Sequence, residues 1–182
     1  MPKRPEPVKL IIGLLAADRE SLEMGLSRIA LRFGDPDALM DAVPFTHTRY
    51  YEEELGAAPL RSFASFAGLI PRTDLPDIKH WTGELESALA VDGKRRVNLD
   101  PGYLTPGQFF LASTKDQRQR VYVRDGIYVE PTLYYRDGAF HPFAWTYPDY
   151  RSGAYFGFLE KARAILLRQL REDAARLGTP EA

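Results

Sequence analysis

The side chains best suited to chemistry lie in two polar stretches in the second half of the chain. Arg96, Asn98 and Asp100 alternate along a strand-like run, so a strand would place all three on one face. Thr114 and Lys115 follow an apolar run of strand length. A guanidinium group binds an anion through two hydrogen bonds, and a hydroxyl beside an ammonium group suits phosphate or carboxylate. We therefore expect Arg96, Asn98, Thr114 and Lys115 to bind an anionic small molecule, with phosphorylated compounds and nucleotides among the candidates.

Two carboxylates, Asp100 and Glu130, are the predicted catalytic residues. Either could orient a hydroxyl group, and both together with Asp149 could bind Mg²⁺ or Mn²⁺, which prefer oxygen ligands. The sequence specifies no other cofactor. A structural role is the alternative: Asp100 would cap a turn and pair with Arg96, and Glu130 would pair across strands with Arg96 or Arg120.

Aromatic and basic residues complete the predicted site. Tyr103 and Tyr147 would wall a pocket, and Arg120 and Asp149 would supply polar contacts to the ligand. Basic residues among tyrosines also occur in proteins that bind single-stranded nucleic acid. This chain has no RNA-recognition motif and a net charge of −1, so we do not expect nucleic acid as its partner.

The elements that position these residues begin in the order strand, helix, strand, strand, helix, strand. The predicted strands cover residues 8–17, 43–51, 60–70 and 95–99. The first predicted helix is capped by Asp18 and ends at Gly34, and the second covers residues 74–90. A sharp turn is expected at Pro101 and Gly102. This order is typical of a ferredoxin-like βαββαβ core, so the predicted fold class is α+β.

The rest of the chain is predicted to extend this core by an antiparallel β-meander and a long C-terminal helix. The strand candidates are residues 109–113, 120–123, 127–135 and 139–144. The Asp-Gly pairs at 125–126 and 137–138 are strong hairpin signals. Pro131, inside the third of these strands, indicates a sheet edge or a bulge. The final helix is expected over residues 152–177.

Composition limits the classes of protein to which the chain can belong. It has 182 residues, 45% hydrophobic and 27% charged, which is ordinary for one globular domain. We expect a single α+β domain over residues 8–178, a mobile arm over 1–7 and a frayed tail over 179–182. The lack of cysteine excludes disulfides, thiolate metal sites and a cysteine nucleophile. With no signal peptide and no apolar segment of membrane-spanning length, we expect a soluble cytoplasmic protein without a membrane partner.

Several runs of the sequence resemble those of one known family in their order and spacing. The runs are RRVNLDPGYLT at 95–105, LASTKD at 111–116, DGIYVE at 125–130 and WTYPDYR at 145–151, with PVKLIIG at 7–13 and the segment 44–51 also similar. The family that they resemble is a bacterial one known as domain of unknown function 4416. The resemblance covers nearly the whole chain and implies a compact single domain, but it implies no activity.

Two classes of function stay open. In the first, the protein is an enzyme or a ligand-binding protein for an anionic small molecule, and Arg96, Asp100, Lys115 and Glu130 converge in one concave site. In the second, it is a non-catalytic adaptor whose sheet or last helix docks a protein or RNA partner. The second class predicts that these side chains pair off on a flat surface and that the last helix exposes an apolar strip.

Overall fold

The computed structural model describes residues 5–47, 52–56 and 58–177. Residues 1–4 of the predicted arm, the predicted tail and the predicted helix end at Gly178 lie outside the described residues. Residues 48–51 of the strand predicted over 43–51 also lie outside them.

Within the described ranges, nine strands form one antiparallel sheet. The strands are β1 (Val8–Ala16), β2 (Pro36–Leu39), β3 (Val43–Pro44), β4 (Leu60–Ile70), β5 (Val97–Leu104), β6 (Gln108–Ser113), β7 (Val121–Arg124), β8 (Ile127–Arg136) and β9 (Ala139–Pro142). Their order across the sheet is β2-β4-β1-β5-β6-β8-β7, with β3 beside β4 and β9 beside β8. The predicted combination of helices with an antiparallel sheet is confirmed.

Helices accompany this sheet on both faces. They are α1 (Arg19–Phe33), α2 (Glu52–Leu55), α3 (Leu75–Ala88), α4 (Pro148–Arg151) and α5 (Phe156–Leu177). Asp18 caps α1 as predicted, because its carboxylate accepts the Ser21 backbone N–H at 2.8 Å, and Gly34 ends the helix at a φ of 82°. The predicted C-terminal helix is confirmed as α5. Of the described helices, none has both the length and the apolar character needed to cross a membrane.

The core is arranged in three layers around β1, whose nine residues are all buried. Leu10, Ile12 and Leu14 pack with side chains of α1 and α3 on one face of the sheet. Ile11 points to the other face, where it packs with α5 residues such as Leu159. Burying one such aliphatic side chain contributes about 1.5–3 kcal/mol, so the alternation along β1 holds both helical layers in place.

Lys9 is the one charged residue of β1, and it is fully buried. Its ammonium group donates to the Asp37 carboxylate at 2.7 Å, to the Phe66 carbonyl at 2.9 Å and to the Gln169 side chain at 2.9 Å. Burial lowers the pKa of Lys9, and the Asp37 carboxylate opposes that effect. Since Asp37 belongs to β2 and Gln169 to α5, the buried amine ties both elements to the central strand.

The strand predicted over residues 43–51 is corrected by the structure. Among its described residues only Val43 and Pro44 are in a strand, and α2 begins at Glu52. The strand that follows α1 in the chain is instead β2, which pairs with β4 at the edge of the sheet. Of the four residues of β2 only Ala38 is buried, so the strand needs no alternation of apolar and polar residues. The sequence Pro36–Leu39 therefore carries no strand signal.

Pro101 and Gly102 do not form the predicted turn, because they continue β5. They lie opposite Ile12 and Ile11 of β1. Pro101 is tolerated there because β6 begins to pair with β5 only at Gly102. A Cβ atom on Gly102 would lie 2.1 Å from the Phe110 carbonyl oxygen, so glycine is what allows β5 and β6 to approach each other at this point.

Both predicted Asp-Gly hairpins are confirmed. Asp125 and Asp137 each have a φ of 52°, and the glycines after them have φ of 75° and 85°, as a two-residue hairpin turn requires. The strands do not form a simple meander, however. β8 pairs with β6 along one edge, and β7 and β9 therefore follow one another along its other edge. Pro131 lies at the predicted irregularity, where the pairing of β6 with β8 shifts register.

Candidate functional site

A cleft opens where two neighbouring strands of the sheet separate. β5 and β6 pair only over residues 102–104 and 109–111. Before Gly102, β5 stays with β1, and beyond Leu111, β6 stays with β8. The cleft between them has a volume of about 900 Å³ and also receives side chains from α3 and α4. This volume lies within the range of known small-molecule sites.

The backbone edge that β5 exposes to this opening is capped by side chains of α3. Glu86 accepts the Leu99 N–H at 2.6 Å, and Lys79 donates to the Leu99 carbonyl at 3.0 Å. An unpaired strand edge that is partly buried costs free energy unless its polar groups find partners. Glu86 and Lys79 therefore replace the missing strand and keep the cleft open.

Arg61 of β4 forms a buried ionic cluster in the wall of the cleft. Its guanidinium group, with a side chain 5% exposed, donates to Asp100 at 3.2 Å and to Asp149 at 3.4 Å. It also lies over the rings of Phe45 and Phe63, with centroid distances of 5.2 and 5.3 Å. Arg61 thus joins β4, β5 and the start of α4.

The charges in this cluster determine which groups are ionised. Burial raises the pKa of Asp100, but Lys79 and Arg61 outweigh it, so the pKa lies below its ordinary value. Burial raises the pKa of the Tyr150 hydroxyl well above its usual range. At neutral pH, Asp100 is therefore a carboxylate that accepts hydrogen bonds, and Tyr150 keeps its proton.

Arg95 holds the far end of the cleft together. Its guanidinium donates to Glu54 at 2.5 and 2.8 Å, to Glu86 at 3.1 Å and to the Asn98 side-chain oxygen at 3.1 Å. Burial raises the pKa of Glu86. The hydrogen bond from Arg95, which precedes β5, therefore sets the orientation of the Asn98 side chain.

Arg120 organises the opposite end of the cleft. Its side chain is 3% exposed and donates to Glu130 at 3.2 Å, to Ser113 at 2.7 Å, to the Lys115 carbonyl at 2.9 Å and to the Tyr147 hydroxyl at 2.8 Å. Gln119 donates to the second oxygen of Glu130 at 2.9 Å, so both oxygens of that carboxylate are engaged. The predicted pairing of Glu130 with Arg120 is confirmed, and it fixes the loop between β6 and β7.

Buried polar atoms without hydrogen-bond partners concentrate along the cleft. Among the described residues six such side-chain atoms occur, and four belong to residues that line it: Arg61 Nε, Asn98 Nδ2, Arg120 Nε and the Tyr150 hydroxyl. The nitrogen of the Asn98 amide lies near Asp100 and lowers the pKa of that carboxyl, although it makes no hydrogen bond of normal geometry to any described residue. The three nitrogens can only donate, and the Tyr150 hydroxyl can donate or accept, so acceptors would satisfy all four.

The two ends of the cleft differ in charge. At the end near β6, Lys115 and Arg120 face a single described carboxylate, Glu130. At the end near β5 and α3, the lining cations and carboxylates are Arg61, Lys79, Arg95, Glu84, Glu86, Asp100 and Asp149. The described lining is therefore net positive at the first end and net negative at the second.

The structure brings together most of the residues predicted from the sequence. Those that line the cleft are Asn98, Asp100, Thr114, Lys115, Arg120, Glu130, Tyr147 and Asp149. Arg96 and Tyr103 do not. Arg96 precedes β5 and pairs with Asp18 at the start of α1. Tyr103 points to the opposite face of β5, where it packs with Leu75 and with Phe110, the two ring centroids being 4.8 Å apart.

The predicted three-carboxylate metal site is not assembled in the part of the chain that the structure describes. No group of three or more His, Cys, Asp or Glu side chains in that part is placed to hold a metal ion. Asp100 and Asp149 share Arg61, whereas Glu130 is bound to Arg120. The carboxylates therefore have cationic side chains as their partners here.

Sequence reasoning missed the residues that hold the cleft from other elements. Arg61, Lys79, Glu86 and Tyr150 lie on β4, α3 and α4. The available signal was a charged residue on a helix face or strand otherwise expected to be apolar, such as Arg61 beside the buried Phe63. Such a residue needs a buried counter-charge. The sequence does not show where that counter-charge lies.

Fold and cleft together define an α+β protein with one antiparallel sheet and a polar cleft between two separating strands. The chain belongs to the DUF4416 family, since the model of that family, described as a domain of unknown function, matches residues 6–165. The resemblance seen in the sequence is thereby confirmed, and the matched span contains every described residue that lines the cleft. Comparison with curated proteins gave no match, and neither did comparison with solved structures.

Proposed function

We propose that the protein binds an anionic small molecule in the cleft between β5 and β6. The observation that carries this proposal is a set of four buried side-chain atoms of cleft-lining residues that can donate but have no acceptor among the described residues. Arg120 Nε lies at the Lys115 end of the cleft, and Arg61 Nε, Asn98 Nδ2 and the Tyr150 hydroxyl lie at the other end. A ligand rich in oxygen acceptors would satisfy them, and leaving a buried donor unsatisfied costs about 1–3 kcal/mol.

The anionic group would bind at the Lys115 and Arg120 end of the cleft. Described cations outnumber carboxylates there, and the Ser113 and Thr114 hydroxyls stand beside them. Arg120 would act mainly as a scaffold, because Glu130, Tyr147 and the loop already occupy its terminal nitrogens and leave Nε as the unused donor. Glu130 would orient Arg120 and would not contact the ligand.

Asp100 is the residue that we propose for chemistry at this site. It is an ionised carboxylate, a quarter of its side chain is exposed, and it lines the cleft. We do not extend the proposal to an adaptor role. Among the described residues, the exposed large apolar side chains lie outside α5, which disfavours docking through that helix. Docking through the sheet stays a prediction, since Val121, Tyr122 and Val123 of β7 are exposed.

We add two proposals, one on the fold of the core and one on the location of the protein in the cell. We propose that β1, α1, β2, β4, α3 and β5 form a ferredoxin-like core, supported by the order β2-β4-β1-β5 with α1 and α3 on one face. We also propose a cytoplasmic location, which suits a chain without cysteine. Fractionation of cells that express the protein would test the location.

A thermal-shift screen tests the proposed function. The purified protein is heated with nucleotides, sugar phosphates, dicarboxylates, Mg²⁺ and Mn²⁺, alongside Asp100→Ala, Lys115→Ala and the control Arg96→Ala, which lies outside the cleft. A compound at 100 times its Kd stabilises the fold by about 2.7 kcal/mol, or roughly 5–11 °C. We expect an anion to raise Tm in the parent and the control and to lose its effect in Lys115→Ala. No shift with any anion would refute the proposal.

A further inference from the structure

Asn98 and Asp100 form a second recognition element at the other end of the cleft. They are two residues apart on β5, so their side chains leave the strand on the same face. One Asp100 oxygen accepts from Arg61 at 3.2 Å, and a carboxylate has about four lone-pair positions in total. The oxygen of the Asn98 amide accepts from Arg95, while its nitrogen has no hydrogen-bond partner of normal geometry among the described residues.

This pair requires a ligand group that both donates and accepts. Asp100 offers acceptors and the Asn98 nitrogen offers donors. An ammonium group could donate to Asp100 but could not accept from Asn98. The carboxylates that line this end would attract an ammonium group, but Asp100 itself is already paired with Arg61 and faces Lys79, whose ammonium lies 3.9 Å away. A hydroxyl group donates and accepts and carries no charge, so it fits where an amine does not.

Two neighbouring hydroxyls fit better than one. A carboxylate accepts from both hydroxyls of a vicinal diol through its two oxygens, and one of those hydroxyls can then accept from the Asn98 amide. The cleft, at about 900 Å³, has room for a sugar ring between this pair and the Lys115 end.

We propose that the ligand is a phosphate ester bearing a vicinal diol. Its phosphate would bind beside Lys115, at the end of the cleft that Arg120 holds in place, and its hydroxyls would bind at Asp100 and Asn98. This inference rests on the proposed function, because it takes the anionic end as given. The same chemistry occurs in a free sugar phosphate and in a ribonucleotide, so both are tested.

The experiment measures binding by isothermal titration calorimetry with ligands matched in pairs. Ribose 5-phosphate is compared with 2-deoxyribose 5-phosphate, and AMP with 2′-deoxy-AMP, so each pair differs by one hydroxyl. Glycerol 3-phosphate is compared with phosphoethanolamine, which replaces the diol by an amine. Inorganic phosphate reports the anionic end alone. Variants Asp100→Asn and Asn98→Ser are titrated beside the control Arg96→Ala, after thermal unfolding has shown that each variant folds.

We expect each ribose compound to bind about 10- to 100-fold tighter than its deoxy partner, since one hydrogen bond to a charged group is lost. The ratio should fall in Asp100→Asn and in Asn98→Ser and stay unchanged in Arg96→Ala. Whichever of ribose 5-phosphate and AMP binds more tightly shows whether the diol comes from a free sugar phosphate or from a ribonucleotide.

Three results would overturn the inference. Equal affinity within each ribose pair, with phosphate still bound, would refute diol recognition but leave the proposed function standing. Tighter binding of phosphoethanolamine than of glycerol 3-phosphate would replace the diol by an amine. Failure of inorganic phosphate and of every phosphate ester to bind would refute both the inference and an anionic site that takes phosphate.

Discussion

Replacing Arg61 with methionine should strongly destabilise the protein, because the change leaves two carboxylates without their shared cation. Arg61 is 5% exposed, Asp149 is 6% exposed, and the ion pairs measure 3.2 and 3.4 Å. Removing one partner of a buried ion pair costs about 3–5 kcal/mol. At 2–4 °C for each kcal/mol in a domain of this size, Tm should fall by roughly 6–20 °C.

The loss should depend on pH in a defined direction. In the parent, the pKa of Asp100 is depressed, so its stabilising contribution is present above the unfolded pKa and is lost as pH falls through the folded pKa. Without Arg61, Lys79 remains to oppose the effect of burial, but the pKa of Asp100 rises from its depressed value, and the variant gains stability as the carboxylate takes up a proton. The stability difference between parent and Arg61→Met should therefore be largest at pH 7 and shrink as pH falls toward the pKa of Asp100 in the variant.

Urea unfolding at pH 7 and at pH 5 measures both effects, and Asp149→Asn supplies the control. In the Arg61→Met variant the Asp149 carboxylate has lost its cation, and Asp149→Asn removes that charge. The double variant should therefore be more stable than Arg61→Met alone. A loss below about 1 kcal/mol that does not vary with pH would refute the reasoning, since that is the value of an exposed ion pair. The reasoning would also be refuted if the free-energy change of the double variant equalled the sum of the changes of Arg61→Met and Asp149→Asn.

Two further predictions concern the elements that frame the cleft. Gly102→Ala should cost about 1–3 kcal/mol or more in urea unfolding, because its Cβ would lie 2.1 Å from the Phe110 carbonyl oxygen. Gly68→Ala should stay within about 0.5 kcal/mol, because a Cβ there would meet no atom of the described residues within 4 Å apart from its chain neighbours. Equal effects of the two changes would contradict the close approach of β5 and β6. Asp18→Ala should cost about 0.5–2 kcal/mol through the lost cap of α1, while Arg96→Ala should cost less than about 1 kcal/mol because its ion pair is exposed. A larger loss in Arg96→Ala than in Asp18→Ala would show that the ion pair, and not the cap, carries the stability.

Much of the fold follows from local signals in the sequence. The unbroken apolar run of β1, the Asp18 cap and the two Asp-Gly turns each have one physical reading, and the structure confirms them. The edge strand β2 could not be found in this way, because only one of its side chains is buried and its pairing partner lies in β4.

The candidate site was accessible to sequence reasoning only in part. Alternation along β5 places Asn98 and Asp100 in the cleft, as the strand period requires. The same reasoning fails for Arg96, because the strand begins one residue later and Asp18 offers a closer partner. Arg61 could not be assigned, because its partners lie 39 and 88 positions away and only the folded sheet brings them together.

The most direct test of the central claim is to map ligand contacts on the isotopically labelled protein by nuclear magnetic resonance. Ribose 5-phosphate and inorganic phosphate are titrated in turn, and backbone amide shifts are followed. We expect both compounds to shift the amide signals of residues 113–115, and only ribose 5-phosphate to shift those of residues 98–100 as well. Unmoved amides at both places, or shifts confined to α5, would contradict this expectation.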